Sequence, residues 1–197
     1  MSISKLFEQT LTALEFALKD RNDFFITSSF GYQSELIFFL LSELGVVPKC
    51  LFIKSKLASG GIDRHMDYIT GLYDIDLHVV DRDPWLEGEL QGKDFMALDS
   101  ERKKFICTKL KREPLLDFIR NNSMKIWLSS IRKDQTQARA ATEFMEVTDL
   151  SVIKISPLYA WEKSEVRQLI STFALSVNDD YFDLCKLNDK NECGLHL

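Results

Sequence analysis

Short apolar runs, separated by longer segments of helical periodicity, constrain the fold of this chain most. Phe24-Phe25-Ile26, Leu51-Phe52-Ile53 and residues 77–80, 125–128 and 152–155 are each bounded by polar or turn-forming residues. Runs this short and this apolar suit strands buried on both faces, as in a parallel sheet covered by helices. Between them, Leu6, Phe7, Leu11, Leu14 and Leu18 recur at helical spacing, and helical patterns return near 33–44, 62–72, 115–120 and 162–172. The alternation predicts an α/β fold: a doubly wound, mostly parallel five-stranded sheet with helices on both faces. Residues 81–104, charged and carrying Gly88 and Gly92, read as an irregular, mobile surface segment. Beyond Leu175 the chain turns polar, and an irregular, mobile tail is expected.

A chain of 197 residues suffices for one core and is short for two, so 1–197 reads as a single domain with 176–197 as its C-terminal tail. A net charge of −5 argues against a general nucleic-acid or membrane binder, while leaving room for a local basic pocket. Residues 1–21 read as a charged amphipathic helix without a signal-peptide pattern, and the longest apolar stretch, near 36–41, is too short to span a bilayer. A cytoplasmic protein is therefore expected. Cys50, Cys107, Cys185 and Cys193 in such a compartment argue against a disulfide framework. There is no Cys-x-x-Cys and the three histidines lack metal-ligand spacing, so no metal site is expected. Cys50, beside an apolar run, reads as a buried small hydrophobe, and His78 as a structural residue in a strand.

Open parallel sheets bind ligands at the carboxyl ends of their strands. The first such end is Thr27-Ser28-Ser29-Phe30-Gly31-Tyr32-Gln33-Ser34. Hydroxyls, a glycine and a helix N-terminus offer an anion amides, O–H donors and a favourable dipole, although the same residues also suit an ordinary strand–turn–helix with a serine cap. Neither a Walker loop nor Gly-x-Gly-x-x-Gly is present. A second strand end carries Arg132, Lys133, Gln135 and Arg139, whose guanidinium forks suit phosphate or sulfate; the alternative is a solvated turn. The terminal Glu192-Cys193-Gly194-Leu195-His196 sets an accessible thiol beside a flexible glycine and a group that titrates near neutral pH, or is a frayed end. Cys193 and His196 are the candidate catalytic residues.

Together these segments resemble the phosphoadenylylsulfate (PAPS) and adenylylsulfate reductases of the adenine-nucleotide α-hydrolase-like superfamily. Ser28, Ser29, Phe30, Gly31, Gln33 and Ser34 match that family's Ser-Ser-Phe-Gly-x-Gln-Ser loop. Arg132, Gln135, Arg139 and Ala140 match its Arg-rich segment, where Ser130, Lys133, Asp134 and Thr136 depart from the pattern. Pro157, Leu158 and Trp161 resemble a Pro-Leu-x-x-Trp element, and Glu-Cys-Gly-Leu-His resembles the terminal motif. Lys54 and Lys56 stand where an acidic turn is usual, so nucleotide contacts there do not carry over.

The resemblance implies that Cys193 attacks the sulfur of PAPS and that thioredoxin or glutaredoxin discharges the S-sulfocysteine as sulfite, as in sulfate assimilation and cysteine biosynthesis. It implies substrate binding by Ser28, Ser29, Phe30, Gly31, Gln33, Ser34, Arg132, Lys133, Gln135 and Arg139, and a homodimer. An iron–sulfur cluster is not expected: Ile106 replaces the first cysteine of the family's Cys-Cys pair, and only Cys185 stands for the later pair. That absence favours PAPS over adenylylsulfate. From Lys186 to Cys193 an extended chain at ~3.5 Å per residue spans at most roughly 25 Å, enough to cross a domain face. Two other readings remain: an ATP-dependent pyrophosphatase or sulfur-transfer protein of the same superfamily, and a nucleotide-binding protein without turnover.

Overall fold

A computed structural model describes residues 2–186. The chain runs α1 (Ile3–Leu18), β1 (Phe24–Thr27), α2 (Ser34–Glu43), β2 (Lys49–Lys54), β3 (Ala58–Ser59), α3 (Ile62–Leu72), β4 (Asp76–Asp81) and α4 (Asp83–Leu90). A short 3-10 turn at Phe95–Ala97 leads into α5 (Ser100–Asn121) and β5 (Ile126–Leu128). A second 3-10 turn (Gln137–Arg139) precedes β6 (Met145–Val147), β7 (Ile153–Ile155), α6 (Lys163–Thr172), β8 (Phe182–Asp183) and a last 3-10 turn, Leu184–Lys186.

Six strands form one sheet in the order β4-β2-β1-β5-β7-β6, parallel throughout except for β6, which pairs antiparallel with β7. The apolar runs are continuous because both faces are covered. Phe24, Ile26, Ile126 and Leu128 face one core with α1, α2 and α6, while Phe25, Leu51 and Trp127 face another with Leu115 and Phe118 of α5. Winding proceeds outward from β1 to β2 and β4, then returns to β5 on the other side of β1. This reversal opens a crevice at the carboxyl ends of β1 and β5. Trp161 is 1% exposed, and its indole N–H donates to Thr10 Oγ1 at 3.0 Å, fastening α1 to the segment before α6.

Several expectations need correction. The sheet has a sixth strand, β6, beyond the five expected. Residues 81–104 are largely ordered: Pro84 starts α4, Leu86 and Leu90 are buried, and Asp99 caps α5 by accepting from the Arg102 N–H at 2.7 Å. Helix α5 continues through Pro114, so the segment expected at 115–120 is the end of a 22-residue helix. The polar stretch after Leu175 includes a two-residue strand, β8, paired antiparallel with β3. Cys107 and Cys185 form a disulfide with Cα atoms 5.6 Å apart, because β8 returns the chain to the side of α5. Among the described residues no helix is long and apolar enough to cross a membrane.

Candidate functional site

Beyond β1 the backbone turns tightly. The Phe30 N–H donates to Ser28 Oγ at 3.1 Å, and Phe30 itself adopts φ +49, a left-handed conformation costly for a residue with a Cβ. Its ring is fully buried, stacked on Phe38 and edge-on to Phe52. Phe30 thus anchors the loop from the core side and lies outside the cavity lining. Gln33 stands at the N-cap of α2 but does not cap it. Its amide instead donates to the Ser130 carbonyl and accepts from Arg132 Nη1, binding the loop after β1 to the loop after β5. The first-turn amides of α2 are therefore uncapped by that side chain, an arrangement suited to an anion.

Arg132 is 6% exposed and does not reach the cavity lining. Its Nε donates to Asp134 at 2.9 Å, and Asp134 in turn accepts from the Lys163 N–H at 2.7 Å, so Arg132 braces the loop after β5. Lys133 also lies outside the lining, with its ammonium 4.8 Å over the Tyr159 ring. Gln135 accepts from the Arg132 N–H at 3.1 Å and from Arg139 Nη1, orienting the guanidinium of Arg139.

The cavity between these loops has a volume of about 270 Å³. Ser28, Ser29, Gly31, Gln33, Ser34, Gln135 and Arg139 all line it, joining both sequence-read segments in one site. Lys111 of α5, Tyr181, Asp183 and Lys186 also line it and were missed in the sequence. Lys111 Nζ donates to Asp183 Oδ2 at 2.6 Å, with side chains 15% and 3% exposed, and the Tyr181 hydroxyl donates to the same carboxylate at 3.3 Å. Two-residue strands carry no usable periodicity, which hid this wall. The one available signal was Gly60, at φ +85, where an added Cβ would stand 1.6 Å from the Asp180 carbonyl oxygen. Cys193 and His196 lie outside the described residues. Cys50 is buried in β2, and burial pushes its thiol well above the usual range, which withholds the thiolate.

A family model described as the phosphoadenosine phosphosulfate reductase domain matches residues 23–185. The chain belongs to that family. The match takes in both loops and every residue of the cavity lining except Lys186. Curated relatives include the adenosine 5'-phosphosulfate reductase of Bacillus cytotoxicus, 26% identical over 175 residues, covering 85% of this chain and 72% of the relative. The enzyme of the same name from Staphylococcus epidermidis is 27% identical over 160 residues, covering 80% and 65%. Among solved structures, PAPS reductase from Candida auris in a phosphate complex superimposes with TM-score 0.72 at 19% identity, covering 90% of this chain and 88% of that one. NMN synthetase from Francisella tularensis shares the fold at TM-score 0.62 and 13% identity, covering 89% and 72%.

A four-thiolate iron–sulfur cluster does not suit the described residues of this family member. Cys107 and Cys185 are bonded to each other, Ile106 is buried beside them, and Cys50 belongs to a different core cluster.

Proposed function

We propose that the chain reduces PAPS to sulfite and adenosine 3',5'-bisphosphate through an S-sulfocysteine on Cys193. The observation that carries this reading is the cavity itself, where a hydroxyl-rich loop, an uncapped helix start, Arg139, Lys111 and Lys186 face one space at the sheet's reversal point. Backbone amides and serine hydroxyls would hold the nucleotide phosphates. Arg139 and Lys111 would offset charge developing on the departing bisphosphate.

In the first step the Cys193 thiolate attacks the sulfur of the sulfate group. The S–O bond to the phosphate breaks, and its electron pair leaves with the nucleotide. A dithiol of the thioredoxin or glutaredoxin class then attacks the cysteine sulfur, and sulfite departs with the electron pair. The second thiol of that dithiol resolves the mixed disulfide and restores Cys193. His196 stands beside this thiol in sequence and is proposed to move its proton.

The decisive test is the intact mass of the protein incubated with PAPS and no reductant. A sulfonate adduct, absent in Cys193→Ser and discharged by thioredoxin, is expected. Bound PAPS without an adduct would instead mark a binding protein or an ATP-dependent relative.

Adenylylsulfate is the second reading, favoured by the names of the curated relatives. A recess beside the main cavity supports PAPS through Lys54. It shares Phe52, Ser55, Ala58 and Ile62 with the cavity and is lined by Lys54, Lys56 and Arg64 together with Asp63 and Asp83. Lys56 pairs with Glu87 and Arg64 with Asp180, which leaves Lys54 as the cation offered to a further phosphate. A higher kcat/KM for PAPS than for adenylylsulfate, lowered in Lys54→Ala, is the expected result.

A further inference from the structure

The left-handed turn at Phe30 is held from behind by a buried polar chain. The Phe30 carbonyl accepts from His65 Nδ1 at 2.9 Å and from Asn178 Nδ2 at 3.1 Å. His65, on α3, is 7% exposed, and its Nε2 lies 2.9 Å from Ser176 Oγ. Ser176 Oγ hydrogen-bonds Glu35 Oε2, and the Ser176 N–H donates to the same oxygen at 2.6 Å. Glu35 is 2% exposed on the first turn of α2, the helix the loop enters, and accepts from the Tyr73 hydroxyl at 2.8 Å.

Counting hydrogens shows what this chain requires. A carbonyl only accepts, so His65 Nδ1 must carry a hydrogen. Two further hydrogen bonds, Nε2 to Ser176 Oγ and Oγ to Glu35, need two hydrogens, and the serine hydroxyl supplies one. The other sits on His65 Nε2 or on Glu35. The fully bonded chain therefore holds one proton beyond a neutral imidazole and an ionised carboxylate. Without it, two lone pairs face each other in a buried site, where an unmade hydrogen bond is costly.

We infer that His65, Ser176 and Glu35 form a protonated relay that positions the anion-binding loop, so that nucleotide affinity depends on the relay's proton. This rests on the loop being the nucleotide site proposed above. The fully bonded state belongs to low pH, and affinity falls as the proton is lost on raising pH. The titratable and charged groups around the relay are Glu35 of α2, Tyr68, whose ring stacks on His65 at 6.3 Å, Tyr73, and the exposed Arg64–Asp180 pair at 3.8 Å. Burial, then the hydrogen bond to Glu35, pushes the Tyr73 phenol well up, so it remains a donor across the neutral range. His65 is a positioning residue in this scheme and touches no substrate.

The test compares adenosine 3',5'-bisphosphate binding by titration calorimetry between pH 6 and 8.5. The ligand's own phosphates titrate in this window, so the readout is the ratio of variant to wild-type Kd at each pH. Ser176→Ala breaks the relay while leaving the Phe30 contact, and should weaken binding about fivefold at low pH and converge on wild type at high pH. His65→Asn retains a donor for the Phe30 carbonyl and should flatten the profile while keeping more affinity than His65→Ala. A constant ratio across pH, or wild-type binding by His65→Ala, would overturn the relay. A ligand-free readout separates this from failure of the functional reading. By NMR of the ligand-free protein the Gly31 amide should move with pH in wild type and hold still in His65→Asn, which keeps a donor for the Phe30 carbonyl but cannot take up a proton. A Gly31 amide that is unmoved by pH in wild type, or that moves equally in His65→Asn, would sink the relay whether or not the nucleotide binds.

Discussion

Arg139 and Lys111 bring cations to the same cavity with different structural consequences. Arg139 is half-buried on a short turn and is aimed by Gln135, which sets its guanidinium at the cavity where an anion can meet it. Arg139→Ala is expected to raise the Kd for adenosine 3',5'-bisphosphate about tenfold or more, since hydrogen bonds to charged groups contribute about 1.5–3 kcal/mol. Lys111 is different because it pairs with Asp183, whose carboxylate is 3% exposed. Lys111→Met leaves that charge buried without its cation and should lower stability by about 3 kcal/mol by chemical denaturation, beyond any loss of binding. The contrast also explains what sequence could reveal at this scale. Arg139 belongs to a contiguous motif, whereas Lys111 acquires its role only from a partner 72 residues away.

At the scale of elements, the β3–β8 pair and the Cys107–Cys185 bond form one clip that seats the cavity wall against α5. Closing a loop with a sequence separation of 78 residues restricts the unfolded chain by up to roughly 4.5 kcal/mol on the chain-entropy account. Alkylation of the denatured, unreduced protein should modify Cys50 and Cys193 alone, and all four cysteines after reduction, as read from intact mass. Modification of Cys107 or Cys185 without reduction would contradict the bond. Gly60→Ala forces a Cβ onto the Asp180 backbone from a left-handed residue, and should loosen the clip so that proteolysis cuts near 180 faster than in wild type. Neither feature was legible in advance. Cys107 and Cys185 look unrelated in sequence, and Pro114 disguised the long helix that presents Cys107. Such a proline deprives the helix of one N–H, and here the burial of Leu110, Leu115 and Phe118 on the same helix outweighs the loss.

Across the whole molecule, the sheet could be read because β1, β2 and β5 each face a core on both sides, which makes their apolar runs continuous, while β7 sets Ile153 and Ile155 against the core and turns Lys154 to Glu146 on the other face. Strand β6 escaped because Met145-Glu146-Val147 sits at the sheet edge with Met145 and Val147 exposed, so no burial pattern marks it. The same order β4-β2-β1-β5-β7-β6 puts the cavity between the two halves of the sheet, bridged by Gln33 to Ser130 and Arg132. A ligand there binds only when both halves are folded and docked, so it stabilises the entire domain. At one hundred times its Kd it contributes about 2.7 kcal/mol, which for a domain of this size corresponds to a rise of roughly 5–10 °C in melting temperature. Adenosine 3',5'-bisphosphate should produce this single cooperative shift by calorimetry, and Arg139→Ala should need correspondingly more ligand to reach it. A shift confined to one of two separate transitions would instead mean that the ligand engages one half alone, and that the Gln33 bridge does not couple the loops.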